Sequence, residues 1–185
     1  MVFGPFFLIA WVIILVVGLS LLGGTLFATT AYSVFSGAPF LPTDERNVDD
    51  MIRSSGLKPG ELLVDLGSGD GRILIAAARA GARAEGWEIS PFLCLWSQWK
   101  IRRAGVADKA KVHLGSYWTE TFRQADVVTL FLITSQMGRM EKKLRSELPV
   151  GSRVVSYAFK FPHWELADKT GRGVYLYRQT ERKAP

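Results

Sequence analysis

The sequence contains one cysteine and two histidines in 185 residues, and it has no charged side chain before Asp44. The single cysteine, Cys94, excludes a disulfide within the chain. Without a cluster of cysteines and histidines, no metal site is predicted. Because the N-terminal region is uncharged, the net charge of +6 belongs entirely to the rest of the chain. An excess of this sign suits nucleic acid, an anionic membrane surface or an acidic partner.

Residues 6–27 form an uncharged, apolar run near the N-terminus. As a helix this run would be about 33 Å long, enough to cross a bilayer core of about 30 Å. A cleaved signal peptide is the alternative, but it would show a basic segment and a shorter apolar core. We therefore predict a single transmembrane anchor at residues 1–28, inserted in the lipid bilayer through residues 6–27. Arg46, Arg53 and Lys58 follow the run, so the positive-inside rule places the C-terminal domain in the cytoplasm.

Two segments follow the predicted anchor. Residues 29–43 are small, aromatic and proline-bearing, and we interpret them as a connector. Residues 44–185 are interpreted as one folded domain of ordinary size. At its start, Thr43 is expected to cap a short helix that ends at Gly56.

The most informative stretch of the domain is Glu61 to Arg72, Glu-Leu-Leu-Val-Asp-Leu-Gly-Ser-Gly-Asp-Gly-Arg. A short apolar run indicates a buried strand that ends at Asp65. Glycines then alternate with other residues at 67, 69 and 71, and a helical segment follows that Gly81 stops. Strand, glycine loop and helix in this order are typical of a nucleotide-type site at the carboxyl end of a first strand.

The spacing of the glycines narrows the choice of ligand. The loop reads Gly-x-Gly-x-Gly, whereas a dinucleotide site reads Gly-x-Gly-x-x-Gly and a phosphate-binding P-loop continues into Gly-Lys-Ser/Thr. Asp65 precedes the loop and Asp70 lies inside it. Two carboxylates would repel a pyrophosphate and suit a ligand with a sulfonium and an ammonium group. Glu88 follows at the usual spacing for an acid that accepts hydrogen bonds from ribose hydroxyls.

Asp-Leu-Gly-Ser-Gly-Asp-Gly-Arg, followed by Gly86-Trp87-Glu88, resembles the cofactor loop of class I S-adenosylmethionine-dependent methyltransferases. Pro-Phe-Leu-Pro-Thr at 39–43, Gln136-Met137 and Phe-Pro-His-Trp at 161–164 resemble, more narrowly, a family of membrane-anchored protein-lysine methyltransferases. Mitochondrial members of that family modify the ATP synthase c subunit and the adenine nucleotide translocase. The resemblance spans roughly residues 39–178. It implies S-adenosylmethionine as the cofactor and a membrane-associated protein as the substrate.

The resemblance also implies an α/β fold, a Rossmann-like sheet of seven strands with helices on both faces. The residue pattern fits that sheet, with an apolar fourth strand typical of a central parallel strand. We predict strands at 82–89, 110–114, 125–133 and 152–158, helices at 91–104 and 137–148, and a final hairpin of 164–169 with 173–179. The helix between the third and fourth strands is expected to be short.

The cofactor-binding residues implied by the resemblance precede the first helix of the domain, fill the glycine loop and follow the second and third strands. They are Pro42, Thr43, Asp65, Gly67, Ser68, Gly69, Asp70, Gly71, Glu88, Ser116, Tyr117 and Trp118. The segment ending at Thr43 would approach the methionine end of the cofactor. Ser116 stands where class members often carry an acid for the adenine amino group. Tyr117 and Trp118 would lie near the adenine or line the substrate entrance, although Trp118 could equally be a packing residue.

Gln136 is the candidate for holding the nucleophilic nitrogen, because it follows the fourth strand, where an open α/β sheet places its substrate. The alternative is a helix cap, because Ser135 is expected to open the helix at 137–148. His163 and Trp164 are further candidates for substrate positioning, in an aromatic slot with Phe159 and Phe161. For His163, a structural histidine is the alternative.

Three hypotheses about function remain open from the sequence. The chain is a protein-lysine methyltransferase, a methyltransferase for a lipid, quinone or other small molecule, or a cofactor-binding protein without catalysis. The intact glycine loop and Glu88 disfavour the last of these. Nucleic acid is not expected as a substrate, because the basic residues are interspersed with acids and an Asn/Asp-Pro-Pro-aromatic signature is absent.

Overall fold

The computed structural model describes residues 5–36, 42–171 and 173–181. Part of the predicted connector, including Pro39 to Leu41, and the end of the chain at 182–185 therefore lie outside the described residues. The first unit is one helix, α1 (Pro5–Ser36). Neither glycine nor proline occurs between residues 25 and 36, so the helix continues through the first part of the predicted connector. Its segment Phe7–Thr25 is long and apolar enough to cross a membrane, and every large apolar side chain there is more than half exposed.

The second unit is an α/β domain with four helices and seven strands among its described residues. They are α2 (Glu45–Ser55), β1 (Leu62–Leu66), α3 (Arg72–Arg79), β2 (Arg83–Glu88), α4 (Pro91–Arg103), β3 (Ala110–Leu114), β4 (Val127–Leu130), α5 (Thr134–Glu147), β5 (Arg153–Tyr157), β6 (Asp168–Thr170) and β7 (Val174–Arg178).

The strands form one sheet in the order β3-β2-β1-β4-β5-β7-β6. Strands β1 to β5 are parallel, and β7 runs antiparallel to β5 and β6. The predicted sheet of seven strands is therefore confirmed. Chain order reverses direction between β1 and β4, and open α/β sheets bind ligands in the crevice outside the carboxyl ends of strands at such a point.

Helices cover both faces of the sheet, as predicted. Residues of α2, α3 and α4 pack in one buried cluster, whereas those of α5 pack in a second cluster with the opposite side chains of the strands. Right-handed crossovers explain this division. The connections from β1 to β2 and from β2 to β3 cross the sheet in one direction, whereas the connection from β4 to β5, which contains α5, crosses it in the opposite direction.

Several predicted boundaries were wrong. The fourth strand is shorter than predicted, α5 begins at Thr134, and the strand expected from Trp164 is limited to Asp168–Thr170. Asp44, not Thr43, caps α2, by accepting a hydrogen bond from the Arg46 amide. Residues 115–126 contain turns and no helix.

Local hydrogen bonds explain the missing helix between β3 and β4. The Ser116 hydroxyl accepts from the Trp118 amide at 3.3 Å, and the Thr119 hydroxyl donates to the Ser116 carbonyl at 2.9 Å. Such bonds from side chains to the neighbouring backbone compete with helix formation. The segment therefore turns at once after β3.

Gly86 in β2 allows the glycine loop to lie close to the sheet. A Cβ atom at this position would lie 2.6 Å from Ser68 Cβ and 2.9 Å from Leu74 Cδ1. Any side chain at residue 86 would therefore push the loop away from the strand.

We expect Gly86→Ala to lower the free energy of unfolding by about 1–3 kcal/mol, the usual cost of overpacking a well-filled site. Gly138→Ala is the matched control, because its new Cβ would meet only Pro162 Cγ at 3.7 Å, an ordinary contact. Gly138 lies in α5, so alanine there should be neutral or stabilising by up to about 1 kcal/mol. Thermal unfolding of the two variants measures the difference, and equal shifts would contradict close packing at Gly86.

Candidate functional site

The glycine loop curls over the carboxyl ends of β1 and β2. Gly67, Gly69 and Gly71 all have positive φ, at 83°, 53° and 77°, which only glycine adopts without strain. The Gly67 and Ser68 amides both donate to the Trp87 carbonyl at 3.0 Å. Gly67 is exposed, so bare backbone faces outward at the end of β1.

Glu88 holds this loop to the start of α4. Its two carboxylate oxygens accept from the Gly69 amide at 2.9 Å and from the Ser90 amide at 2.8 Å. The carboxylate is buried, and burial raises the pKa of Glu88, although the backbone hydrogen bonds oppose this. A carboxylate has about four acceptor sites, so capacity remains for the hydroxyls of a ligand.

Asp65 is buried at the end of β1. Its Oδ1 accepts from the Thr129 hydroxyl of β4 at 2.7 Å. Burial raises the pKa of Asp65 to about 7, the charges of Glu88 and Asp70 act in the same direction, and the Thr129 bond opposes them. Near neutral pH, this side chain therefore exchanges between its charged and neutral forms.

Asp70 is already paired with two cations. Arg72 donates to both of its oxygens at 2.8 Å, and Lys100 Nζ lies 2.7 Å from Oδ2. Burial would raise the pKa of Asp70, but these partners lower it to about 2. The charge of Asp70 is therefore balanced within the protein, and its predicted contact with a cationic ligand stays a prediction.

Arg72 also connects the loop to the segment before α2. Its Nη1 donates to the Thr43 carbonyl. Thr43 is buried and Pro42 is exposed. The structure thus brings the predicted Pro42-Thr43 segment to the glycine loop.

Tyr117 joins the glycine loop to Gln136. A Cβ atom on Gly67 would lie 3.9 Å from the Tyr117 ring, and the Tyr117 hydroxyl lies 2.9 Å from Gln136 Oε1. Burial and the charge of Glu88 raise the pKa of Tyr117 to about 12, so its hydroxyl stays a hydrogen-bond donor. Trp118 packs instead against Arg139, whose guanidinium lies 4.2 Å from the ring centroid. Predicted residues that follow three separate strands therefore meet at the carboxyl edge of the sheet.

His163 and Trp164 lie elsewhere. The exposed His163 donates its amide to Glu141 Oε2 at 2.9 Å. Trp164 is buried, and its indole donates to the Arg178 carbonyl at 3.2 Å. Arg178 pairs with Arg153, the first residue of β5, so Trp164 lies toward the amino ends of the parallel strands. The structure does not bring this pair together with the glycine loop.

An aromatic cluster at the carboxyl ends of β4 and β5 was only partly foreseen. The Phe131 ring lies 4.9 Å from that of Tyr157 and 6.4 Å from that of Phe159. Asn47 of α2 donates to the Tyr157 hydroxyl at 2.9 Å. Of these three aromatic residues only Phe159 was predicted from the sequence, although Phe131 and Tyr157 also lie where strands end. We call Phe131, Tyr157 and Phe159 the edge cluster.

The turn that presents Phe159 is strained. Ala158 has φ 67°, the only positive value among the described non-glycine residues. The Phe159 amide donates to the Tyr157 carbonyl across it at 2.9 Å. Strain of this kind concentrates at functional sites.

We expect the Asp65 carboxyl to make stability depend on pH. Its pKa is raised on folding, so its contribution to stability is present below about pH 4 and is lost as the pH rises through about 7. Asp65→Asn keeps an acceptor for Thr129 and removes the titration. Between these pH values the wild type should lose up to about 4 kcal/mol relative to this variant.

Unfolding across this pH range, compared between the two proteins, measures the effect. Asp108→Asn at an exposed position should follow the wild type. Parallel curves for the wild type and Asp65→Asn would contradict a raised pKa at Asp65.

Comparison with known proteins identifies clear relatives. A family model described as the ANTKMT methyltransferase domain matches residues 65–168. The lysine N-methyltransferase of the ATP synthase c subunit from Rattus norvegicus is 42% identical over 136 residues, which are 74% of this chain and 62% of that protein. This chain therefore spans less than two thirds of the rat relative. A protein-lysine N-methyltransferase of Saccharolobus islandicus is 32% identical over 154 residues, 78% of this chain and 96% of that protein.

A solved structure is also similar over most of the domain. The RNA methyltransferase of Salinibacter ruber, crystallised with S-adenosylhomocysteine, is 35% identical and superposes with a TM-score of 0.75. The match covers 78% of this chain and 97% of that chain.

Proposed function

Because the chain belongs to the ANTKMT methyltransferase domain family, we propose that it transfers a methyl group from S-adenosylmethionine to a lysine side chain of a protein. The observation that carries the proposal is the connection from the exposed Gly67 backbone through Tyr117 to Gln136. It joins the predicted cofactor loop to the predicted acceptor site at one edge of the sheet. The names of the rat and archaeal relatives support a lysine acceptor.

The residues of the loop fit this cofactor. Glu88 has acceptor capacity beyond its two backbone bonds, which suits ribose hydroxyls. The buried Ser68 hydroxyl has no hydrogen-bond partner in the described part of the chain, so a donor is available beside the loop. Asp65 supplies a negative charge when ionised, which suits a cationic ligand. When bound, S-adenosylmethionine supplies an electrophilic methyl group on its sulfonium sulfur.

Gln136 and the edge cluster are proposed to prepare the acceptor. A lysine amine has an ordinary pKa near 10.4 and must be neutral to act as a nucleophile. Aromatic surroundings with little water lower that pKa. The Tyr117 hydroxyl occupies one acceptor site of Gln136 Oε1 and leaves another for an N–H of the amine. The Gln136 amide would then orient the lysine nitrogen, and the extra proton of the lysine ammonium group would leave to solvent.

We propose further that α1 anchors the protein as a single span, with the domain on the cytoplasmic side. Support comes from the length and apolarity of Phe7–Thr25 and from the basic residues that follow it. An anchored enzyme would meet protein substrates at the membrane.

Methyl transfer to RNA is a second candidate. It is favoured by the similarity to the Salinibacter ruber RNA methyltransferase and by the net charge of +6. It departs from the sequence expectation that nucleic acid is not a substrate.

Transfer of a labelled methyl group tests these candidates directly. Detergent-solubilised protein is incubated with labelled S-adenosylmethionine and host membranes, or with host RNA, and protein, lipid and RNA fractions are separated. We expect label on a lysine of a membrane protein, identified by mass. Label in lipid or RNA would replace the lysine proposal, and cofactor binding without transfer would indicate a non-catalytic protein. Glu88→Ala, which loses the hydrogen bonds from the Gly69 and Ser90 amides, measures the background level of label.

We expect Gln136→Ala to lower turnover about a hundredfold, the cost of misplacing a reacting group by about 1 Å, while S-adenosylmethionine affinity stays within about twofold. Gln124→Ala is the control, since Gln124 is an exposed glutamine of the β3–β4 connection. Calorimetry and steady-state kinetics separate the two effects. Unchanged turnover would favour a purely structural role for Gln136 in the first turn of α5, and an equal loss of affinity would move it to the cofactor site.

A further inference from the structure

Helix α4 exposes a continuous apolar stripe. Four large side chains, at positions i, i+3, i+4 and i+7, lie on one side of the helix. We call them the outer stripe: Phe92 (57% exposed), Leu95 (66%), Trp96 (44%) and Trp99 (49%). The two tryptophan rings stack, with centroids 4.9 Å apart.

The outer stripe is not the core-facing side of the helix. Cys94, Ser97 and Ile101 are buried, and they project from the opposite side. The helix therefore packs on the sheet through one side and presents the stripe through the other. The stripe exposes on the order of 400 Å² of mostly apolar surface, given the areas typical of such side chains. Patches of this size on a single chain are often functional.

The charged side chains of α4 itself are all basic, although Glu45 and Asp49 of α2 line a cavity together with Trp99 and Arg103. Arg102 and Arg103 follow the stripe in the last turn, and the Arg103 guanidinium lies 5.4 Å from the Trp99 ring centroid. Residues 91–103 contain no acidic side chain. Tryptophan is enriched where membranes meet water, and helices with an apolar side flanked by arginine bind anionic lipid surfaces.

We propose that the outer stripe enters the interfacial layer of an anionic phospholipid bilayer, while Arg102 and Arg103 contact lipid phosphates. A second copy of the chain fits less well, because stable protein interfaces bury about 800 Å² on each partner, roughly twice the area of the stripe. The same chain also carries a segment, Phe7–Thr25, that is long and apolar enough to reach a bilayer.

The position of α4 gives this contact a consequence for the active site. The helix starts at Pro91, next to Ser90, whose amide donates to Glu88. Phe92 is thus close in sequence to Glu88, whose carboxylate holds the glycine loop to the start of α4. Docking through the stripe would place the carboxyl ends of the strands beside the membrane surface, within reach of lysines on membrane proteins. This last consequence rests on the proposed function, whereas the lipid contact does not.

Quenching by spin-labelled lipid tests the contact in the full-length chain. In a Cys94→Ala background, Leu95→Cys carries an environment-sensitive dye, and Val150→Cys is the matched control. Val150 is 65% exposed and lies in the turn between β5 and α5, the helix that packs on the other face of the sheet. The proteins are placed in bilayer discs of phosphatidylcholine with phosphatidylglycerol and doxyl-labelled lipid. We expect quenching at residue 95 to be several-fold stronger than at residue 150, and equal quenching would overturn the proposal.

Two further measurements test the charges and the rival occupant. Replacing Arg102 and Arg103 by glutamine should reduce quenching at residue 95 to the level seen in pure phosphatidylcholine, with S-adenosylmethionine affinity unchanged. If quenching at residue 95 is the same with and without the substitutions, and with and without phosphatidylglycerol, the proposed contact with anionic lipid is overturned. A dye at residue 95 that reports apolar surroundings in detergent, increasingly at higher protein concentration, would indicate a second copy and overturn lipid docking.

Discussion

The buried carboxylate of Glu88 is the contact on which the candidate site depends. The glycine loop has positive φ at three positions and few hydrogen bonds of its own, so its shape is set by the end of β2. Trp87 supplies a carbonyl to the loop, Glu88 accepts from Gly69, and Gly86 leaves the room that Ser68 fills. A single strand end therefore fixes both the loop backbone and, through Ser90, the start of α4.

The charges of the site are unevenly balanced, and this imbalance suits a cationic ligand. Asp70 is neutralised by Arg72 and Lys100. Burial raises the pKa values of Asp65 and Glu88, the charge of Glu88 raises the pKa of Asp65 further, and neither carboxyl has a cationic partner among the described residues. Negative charge at this edge is consequently costly in the free protein, and a bound cation would offset that cost.

The parts of the site that follow from local sequence were predictable, and those that depend on distant contacts were not. The glycine loop and the carboxyl-edge position of Gln136 follow from residue spacing and the parallel sheet. No local pattern marks Thr129 as the partner of Asp65, Lys100 as the partner of Asp70, or Asn47 as the partner of Tyr157. Trp164 likewise lies near aromatic residues in sequence, but it is buried against β7, where its indole donates to the Arg178 carbonyl.

The strained backbone conformation of Ala158 persists because hydrogen bonds hold the chain at this residue and at the next one. The Ala158 amide donates to the Gly173 carbonyl at 2.7 Å, and the Ser156 hydroxyl donates to the Phe159 carbonyl at 2.6 Å. These bonds fix the turn, so the Phe159 ring is held beside Phe131 before any ligand arrives. A rigid aromatic wall loses little conformational entropy when an acceptor side chain packs against it. The backbone strain at the end of β5 is therefore consistent with an acceptor slot that is formed in advance.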